Sequence, residues 1–190
     1  MKQLIVISAP SGAGKTTITK RILEKHQDKL TFSISATTRK MRDGERDGID
    51  YYFLTKEDFQ ERIAKGDFIE YEQIFDNYYG TLKSEIERAK NQGKSLIFDI
   101  DVKGGLSIRK KFSSDSLLIF LVPPSLEVLR ERLEKRGTES EEIIQKRLGR
   151  VDMEMKMAEE QFTTGATYDV FIVNDNLDVA IDLVESAIFD

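Results

Sequence analysis

Four apolar residues, Leu4-Ile5-Val6-Ile7, run without a break into Ser8-Ala9-Pro10-Ser11-Gly12-Ala13-Gly14-Lys15-Thr16-Thr17, and a helical pattern carrying Ile18, Ile22 and Leu23 follows at once. A strand, a glycine-rich loop and a helix in this order constrain the fold more than any other feature, because that setting makes such a loop a phosphate cradle. Gly12 and Gly14 let successive backbone N–H groups converge on phosphate oxygens, and the helix start adds a favourable dipole. Lys15 brings a cation to the β- and γ-phosphates, and the Thr16 hydroxyl is a ligand for Mg²⁺. The strict pattern opens with glycine, whereas Ala9 stands here, a replacement acceptable wherever φ is negative. The competing interpretation is a glycine-rich turn with a solvated lysine. The flanking strand and helix favour a bound nucleoside triphosphate.

Three further apolar runs, at 96–100, 117–122 and 170–173, are continuous rather than alternating. Continuous runs belong to strands covered on both faces, as in a parallel sheet. Phe32-Ser33-Ile34 alternates and reads as one more strand. Helical patterns lie between the strands, at 15–25, 125–135 and 178–189. Thr138-Glu139-Ser140-Glu141 is a capping box opening another helix, with Ile144, Leu148, Val151 and Met155 on one face. Strands alternating with helices predict an α/β fold of three layers around a mostly parallel core sheet.

Residues 37–93 break this rhythm. They hold five of the six tyrosines, a short helix at 55–65 stopped by Gly66, and a second helix at about 82–92 stopped by Gly93. No Pro- or Ser-rich linker bounds the stretch, so residues 37–80 read as an insertion on the core. A chain of 190 residues suits one core. Lys and Arg total 29 against 34 Asp and Glu, and the net charge of −5 argues against a general nucleic-acid binder. Without cysteine, disulfides, thiolate metal sites and a cysteine nucleophile are excluded. The single histidine, His26, reads as a surface residue without a catalytic part. No apolar run approaches the ~18 residues of a membrane span, and the first residues lack a signal-peptide pattern, so a cytoplasmic location is expected.

Other motifs carry candidate chemistry. Ser35-Ala36-Thr37-Thr38-Arg39-Lys40-Met41-Arg42 sets two guanidinium groups three residues apart beside hydroxyls, each able to grip phosphate with two nitrogens. The acidic neighbours Asp43, Glu45 and Asp47 also allow a solvated charged loop. Phe68-Ile69-Glu70-Tyr71 and Asn77-Tyr78-Tyr79-Gly80-Thr81 supply phenols, a hydroxyl and a carboxylate, or aromatic packing in a small sheet. Asp99 and Asp101 end a strand and by period two share a face where open α/β sheets bind ligands; turn or capping roles are the alternative. Arg130, Arg132, Arg136, Arg147 and Arg150 flank Gly137 and suit either a salt-bridged surface or a lid closing over a triphosphate.

Together, Ser-Ala-Pro-Ser-Gly-Ala-Gly-Lys, Ser-Ala-Thr-Thr-Arg-x-x-Arg-x-Gly-Glu, Gly-x-Asp-Tyr, Phe-Ile-Glu-Tyr, Asn-Tyr-Tyr-Gly-Thr, Asp-Ile-Asp-Val and Lys-Arg-Gly-Thr-Glu resemble the guanylate kinases, in order and spacing over essentially the whole chain. The resemblance implies a core (1–34, 93–124 and 156–190), a GMP-binding region (35–92) and a helical lid (125–155). It implies that ATP, with Mg²⁺ at Thr16, is held by Ala9, Pro10, Ser11, Gly12, Ala13, Gly14, Lys15, Thr16 and Thr17, with Arg132, Arg136 and Asn174 nearby, the last close to the adenine. Arg39, Arg42, Tyr51 and Tyr79 would hold the GMP phosphate, while Ser35, Glu70, Thr81 and Asp101 read the guanine. Asp99 would orient the metal shell or the phosphate clamp, and Lys15, Arg39, Arg136 and Arg147 would carry catalysis. The chain departs from the family at Met41 and Asp43, where proline is frequent, and at Lys103-Gly104-Gly105, where Gln-Gly-Ala is commoner.

The residues agree with this implication. Guanine offers N1–H and N2–H₂ donors, which suit a carboxylate, and an O6 acceptor, which suits hydroxyls. Phosphoryl transfer asks mainly for alignment and charge neutralisation, which an Arg- and Lys-rich site without a general base supplies. The expected partners are the small molecules GMP and ATP, without nucleic acid or membrane; a homo-oligomer is compatible with the sequence. Two other classes stay open: a kinase of another small acceptor, and a non-catalytic binding module built on the same fold. The intact Lys15, Thr16, Arg39 and Arg42 weigh against the second.

Overall fold

The computed structural model describes residues 1–74, 76–135, 140–160 and 168–190. The apolar run behind the phosphate loop forms β1 (Leu4–Ser8), flanked in parallel by β7 (Ser95–Asp99) and β8 (Ser116–Val122). β2 (Leu30–Phe32) extends the sheet beyond β7, and β9 (Val170–Val173) extends it beyond β8. The order is β2-β7-β1-β8-β9, and every pairing in this sheet is parallel.

Period-two alternation within β1 explains why the runs are continuously apolar. Ile5 and Ile7 face one cluster, with Ile18 and Ile22 of α1 (Lys15–Lys25), Leu129 of α5 (Leu126–Lys135) and Val184 and Ile188 of α7 (Leu177–Phe189). Leu4 and Val6 face the other, with Ile86 and Ala89 of α3 (Ser84–Asn91) and Val102 and Ile108 of α4 (Val102–Lys111). Both faces are therefore dry, and the fold has three layers. The chain leaves the middle strand toward β2 and later crosses from β7 to β8 on the other side. The end of β1 is thus where strand order reverses, the usual ligand position in such sheets.

The inserted residues build a second sheet of order β4-β3-β6-β5, from β3 (Ser35–Thr37), β4 (Tyr52–Phe53), β5 (Phe68–Ile74) and β6 (Asn77–Leu82). Its small core joins Ala36, Phe68 and Leu82 to Phe59 of α2 (Lys56–Lys65), whose ring stacks 4.3 Å from Phe68. Thr55 caps α2 by accepting from the Asp58 N–H, and Gly66 ends it at φ 70°.

Two boundaries differ from the sequence reading. The expected strand at 32–34 is divided: β2 ends at Phe32, and Ser33 and Ile34 connect the two sheets. Leu82 belongs to β6 and the small core, so α3 begins only at Ser84. Of the capping box, Thr138 and Glu139 lie outside the described residues, and the helix it announces is α6 (Glu141–Glu160). That helix runs unbroken through residue 155, with Val151 and Ala158 buried in the main core. His26 is half-buried at the surface: its Nε2 lies 2.9 Å from Glu185 on α7, and its ring packs against Phe189.

Candidate active site

The phosphate loop takes its shape from its glycines. Gly12 and Gly14 sit at φ 91° and 92°, a region closed to most side chains, and the Ala13 N–H turns back onto the Pro10 carbonyl at 3.1 Å. Lys15 reaches across to the end of β7, 3.0 Å from the Asp99 carboxylate and 3.0 Å from the Ile100 carbonyl. The Thr16 hydroxyl donates to the other Asp99 oxygen at 2.8 Å. One carboxylate therefore orders both the cation and the hydroxyl expected at a triphosphate. Arg147 of α6 donates to the Ser11 hydroxyl, so an arginine of the segment expected to be a lid meets the loop. Arg136 lies outside the described residues.

Asn174, expected near the adenine, follows directly on β9. It is buried, donates to the Ala13 carbonyl at 2.7 Å, and accepts from Arg132 on its own carbonyl at 3.0 Å. A Cβ on Gly14 would collide with its amide. Asn174 thus braces the loop from below and carries Arg132 with it.

Beyond Asp99 the strand stops, so Asp101 does not continue the period-two face. Its side chain caps α4, accepting from the Gly104 N–H at 2.9 Å. The capping alternative is realised, and it brings Asp101 beside Glu70: a Cβ on Gly104 would stand 3.4 Å from the Asp101 carboxylate and 3.5 Å from that of Glu70. Thr81 donates to Glu70 at 2.7 Å, and Ser35 is the direct register partner of Thr81. All four residues expected to read guanine therefore converge.

A register shift between Phe68 and Glu70 aims that glutamate. Ile69 drops out of the ladder into the main core, its carbonyl taken by Lys111 of α4. Burial pushes the Glu70 carboxyl above its ordinary value; the Thr81 hydroxyl opposes this, and the Asp101 charge adds to it. Lys103, at a departure from the family, pairs with Glu72 at 3.2 Å.

Arg39 meets Glu45 through both terminal nitrogens, at 3.0 and 2.7 Å, with its guanidinium 5.4 Å from the Tyr51 ring centroid. Tyr79 stands edge-on to Tyr51 at 6.3 Å. Arg42 joins through its backbone N–H, 2.8 Å from Glu45, while its side chain is exposed. Glu45 was read as a neighbour favouring a solvated loop, yet it organises the arginine. Glu154 of α6 was not singled out either. Its side chain is 14% exposed, 3.6 Å from Arg150. Burial raises its carboxyl, Arg150 and Lys15 draw it down, and Asp101 and Glu72 push it up.

Among the described residues no cluster of three or more His, Cys, Asp or Glu is arranged for a metal, and no helix is long and apolar enough to cross a membrane. The guanylate kinase family model matches residues 1–190. A guanylate kinase of Chlorobium chlorochromatii is 52% identical over 186 residues, covering 98% of this chain and 94% of the relative. One from Porphyromonas gingivalis is 46% identical over 189 residues, covering 99% and 97%. The solved guanylate kinase of Anaplasma phagocytophilum superposes with a TM-score of 0.72 at 28% identity, over 98% of this chain and 84% of that one. With a match of that extent laid over a phosphate loop, a carboxylate at the end of β7 and a polar pocket beside them, this chain belongs to the guanylate kinase family.

Proposed function

We propose that this chain transfers the γ-phosphoryl group of ATP to GMP, giving ADP and GDP, and that the two halves of its site divide the work. Residues 9–17 hold ATP, with Lys15 neutralising charge on the transferring group and Arg132, Arg136 and Arg147 arriving from the lid. Arg39, Arg42, Tyr51 and Tyr79 take the acceptor phosphate; Ser35, Glu70, Thr81 and Asp101 take the base. The core, the GMP-binding region (35–92) and the lid (125–155) are the parts that close together to exclude water, which would otherwise hydrolyse ATP. The reaction draws on cytoplasmic nucleotide pools.

The donor set fits Mg²⁺. A hydroxyl and one carboxylate, 2.8 Å apart at Thr16 and Asp99, suit a small hard cation that keeps several waters and takes phosphate oxygens. Thr16 and Asp99 would hold the ion, which would supply positive charge to the phosphates. Lys15 is held against the same carboxylate, at 3.0 Å.

The observation that carries the proposal is the continuity of residues 99–101: Asp99 orders Lys15 and Thr16, and Asp101 stands beside Glu70. This continuity supports reading the residues assigned to ATP and those assigned to guanine as one site. A coupled assay with ATP and a panel of monophosphates tests it. GMP should be the preferred acceptor; equal use of AMP, or no transfer at all, would refute it.

A further inference from the structure

Glu85 is the one carboxylate among the described residues whose side chain is essentially removed from solvent, 1% exposed, and the reaction does not use it. Burying such a charge costs several kcal/mol unless partners replace its water. Here the replacement is full. The Ile34 N–H donates at 2.7 Å, the Tyr52 hydroxyl at 2.9 Å, and Arg88 through Nε and Nη2 at 3.0 and 2.7 Å. Arg88 in turn donates to the Thr31 hydroxyl at 3.1 Å and the Phe32 carbonyl at 2.5 Å.

Where these partners sit gives the pair its meaning. Thr31 and Phe32 belong to β2, the edge of the core sheet, and Tyr52 to β4 of the inserted sheet. Ile34 lies in the two-residue connector between the sheets, directly before Ser35. Ser35 opens β3 as the register partner of Thr81, whose hydroxyl holds Glu70 at 2.7 Å. A single ion pair on α3, with Glu85 buried and Arg88 half-buried, therefore clasps the core, the connector and the inserted sheet at the point where β3 begins.

We propose that the Glu85–Arg88 pair is a positioning and specificity-determining device for the acceptor, setting where Ser35 and Thr81 stand without touching the nucleotide. The proposal rests on reading Ser35, Glu70, Thr81 and Asp101 as the guanine pocket. A carboxylate with four fixed donors tolerates little displacement, since each donor left unpaired in a dry site is costly. A shift of the connector carries Ser35 away from Thr81 and disturbs the strand pair whose Thr81 hydroxyl holds Glu70. None of the hydrogen bonds of this clasp involves a residue of the phosphate loop.

The test compares Glu85→Gln, Arg88→Lys and Tyr52→Phe with the unaltered protein, measuring KM for GMP, KM for ATP, kcat, and the ratio of kcat/KM for GMP over AMP, with thermal midpoints alongside. Glu85→Gln keeps the shape and removes the charge. Arg88→Lys keeps the charge and loses the two-nitrogen grip. Tyr52→Phe deletes one donor without stranding a charge, so it reports even where the others fold poorly. Glu85→Gln and Arg88→Lys should raise KM for GMP about tenfold, the worth of one charge-assisted hydrogen bond, and lower the GMP/AMP ratio. Tyr52→Phe should act in the same direction by less, and KM for ATP should stay within about twofold in all three. If the folded variants lose thermal stability but keep the KM for GMP and the GMP/AMP ratio of the unaltered protein, the pair is structural only and the proposal falls. A fault in the pocket reading looks different: the unaltered protein itself would then show no preference for GMP.

Discussion

Arg39 and Glu45 form a two-pronged ion pair, 3.0 and 2.7 Å long, that points the guanidinium before any phosphate arrives. Arg39 keeps further N–H donors for a phosphate, and Tyr51 and Phe53 flank it at 5.4 and 5.8 Å. Removing the brace frees a long side chain that must then be ordered on binding. Glu45→Ala should raise KM for GMP and AMP together, leaving their ratio unchanged. Arg39→Lys should do the same more severely, because an ammonium lacks the planar grip. Steady-state kinetics with both acceptors check this; a change in one acceptor alone would contradict it.

The same pair has a pH signature. The Arg39 hydrogen bond, with help from the Arg42 backbone N–H, lowers the Glu45 carboxyl from 4.5 to about 2. A carboxyl depressed on folding stabilises fully above its unfolded value, and that contribution is lost as pH falls from 4.5 toward 2. At pH 3.5 the brace should still be in place. A ¹³C titration of Glu45 should find a midpoint well below the ordinary carboxyl range, returning toward it in Arg39→Ala. An ordinary midpoint in the unaltered protein would show that the pair is not formed in solution.

Lys15 is better braced than a loop lysine would be, held by Asp99 and the Ile100 carbonyl at 3.0 Å each. Its charge acts on a transition state whose charge is spread over phosphoryl oxygens. Lys15→Ala should leave the fold intact, because α1 and the sheet do not depend on it, and should slow kcat by about 10²–10³, the cost of losing one preorganised donor. Circular dichroism and turnover measured on the same sample check both halves. Turnover within about threefold of the unaltered protein would contradict it.

How far the sequence spoke depended on whether a signal was local. The parallel sheet was legible because both faces of each strand are covered, which leaves continuous apolar runs at β1, β7, β8 and β9. The phosphate loop was legible because its glycines and lysine sit within a few residues of one another. The division of 32–34 between two sheets was not, because Ile34 is turned by Glu85, fifty-one residues away. Glu85 and Arg88, three apart on a helix, look like an ordinary surface pair until Thr31, Phe32 and Tyr52 close over them. The contact of Asn174 with the Ala13 carbonyl was not legible either, because the two residues lie 161 positions apart.

The departure at Gly105 has a structural counterpart of the same long-range kind. A Cβ there would collide with the Tyr168 hydroxyl, which donates to the Val102 carbonyl at 3.4 Å. Alanine gains about 0.5–1 kcal/mol over glycine in a helix, but overpacking costs about 1–3 kcal/mol. Gly105→Ala should therefore destabilise the protein alone and stabilise it in a Tyr168→Phe background. Denaturant unfolding of the four-member cycle checks the coupling; additive effects would contradict it.

The central claim is that Glu70, held by Thr81 at 2.7 Å and pushed up by burial, reads the guanine edge. AMP has no N1–H and no N2 amine, so it would leave this carboxylate desolvated with no donor from the base. Sites built on such pairs reject the wrong substrate by about 10⁴. Glu70→Gln keeps the size of the side chain and exchanges an acceptor for a donor. The decisive measurement is kcat/KM for GMP and for AMP in the unaltered protein and in Glu70→Gln. The account predicts a strong GMP preference that collapses in the variant through loss of GMP use; an unchanged GMP/AMP ratio would show that Glu70 does not read the base.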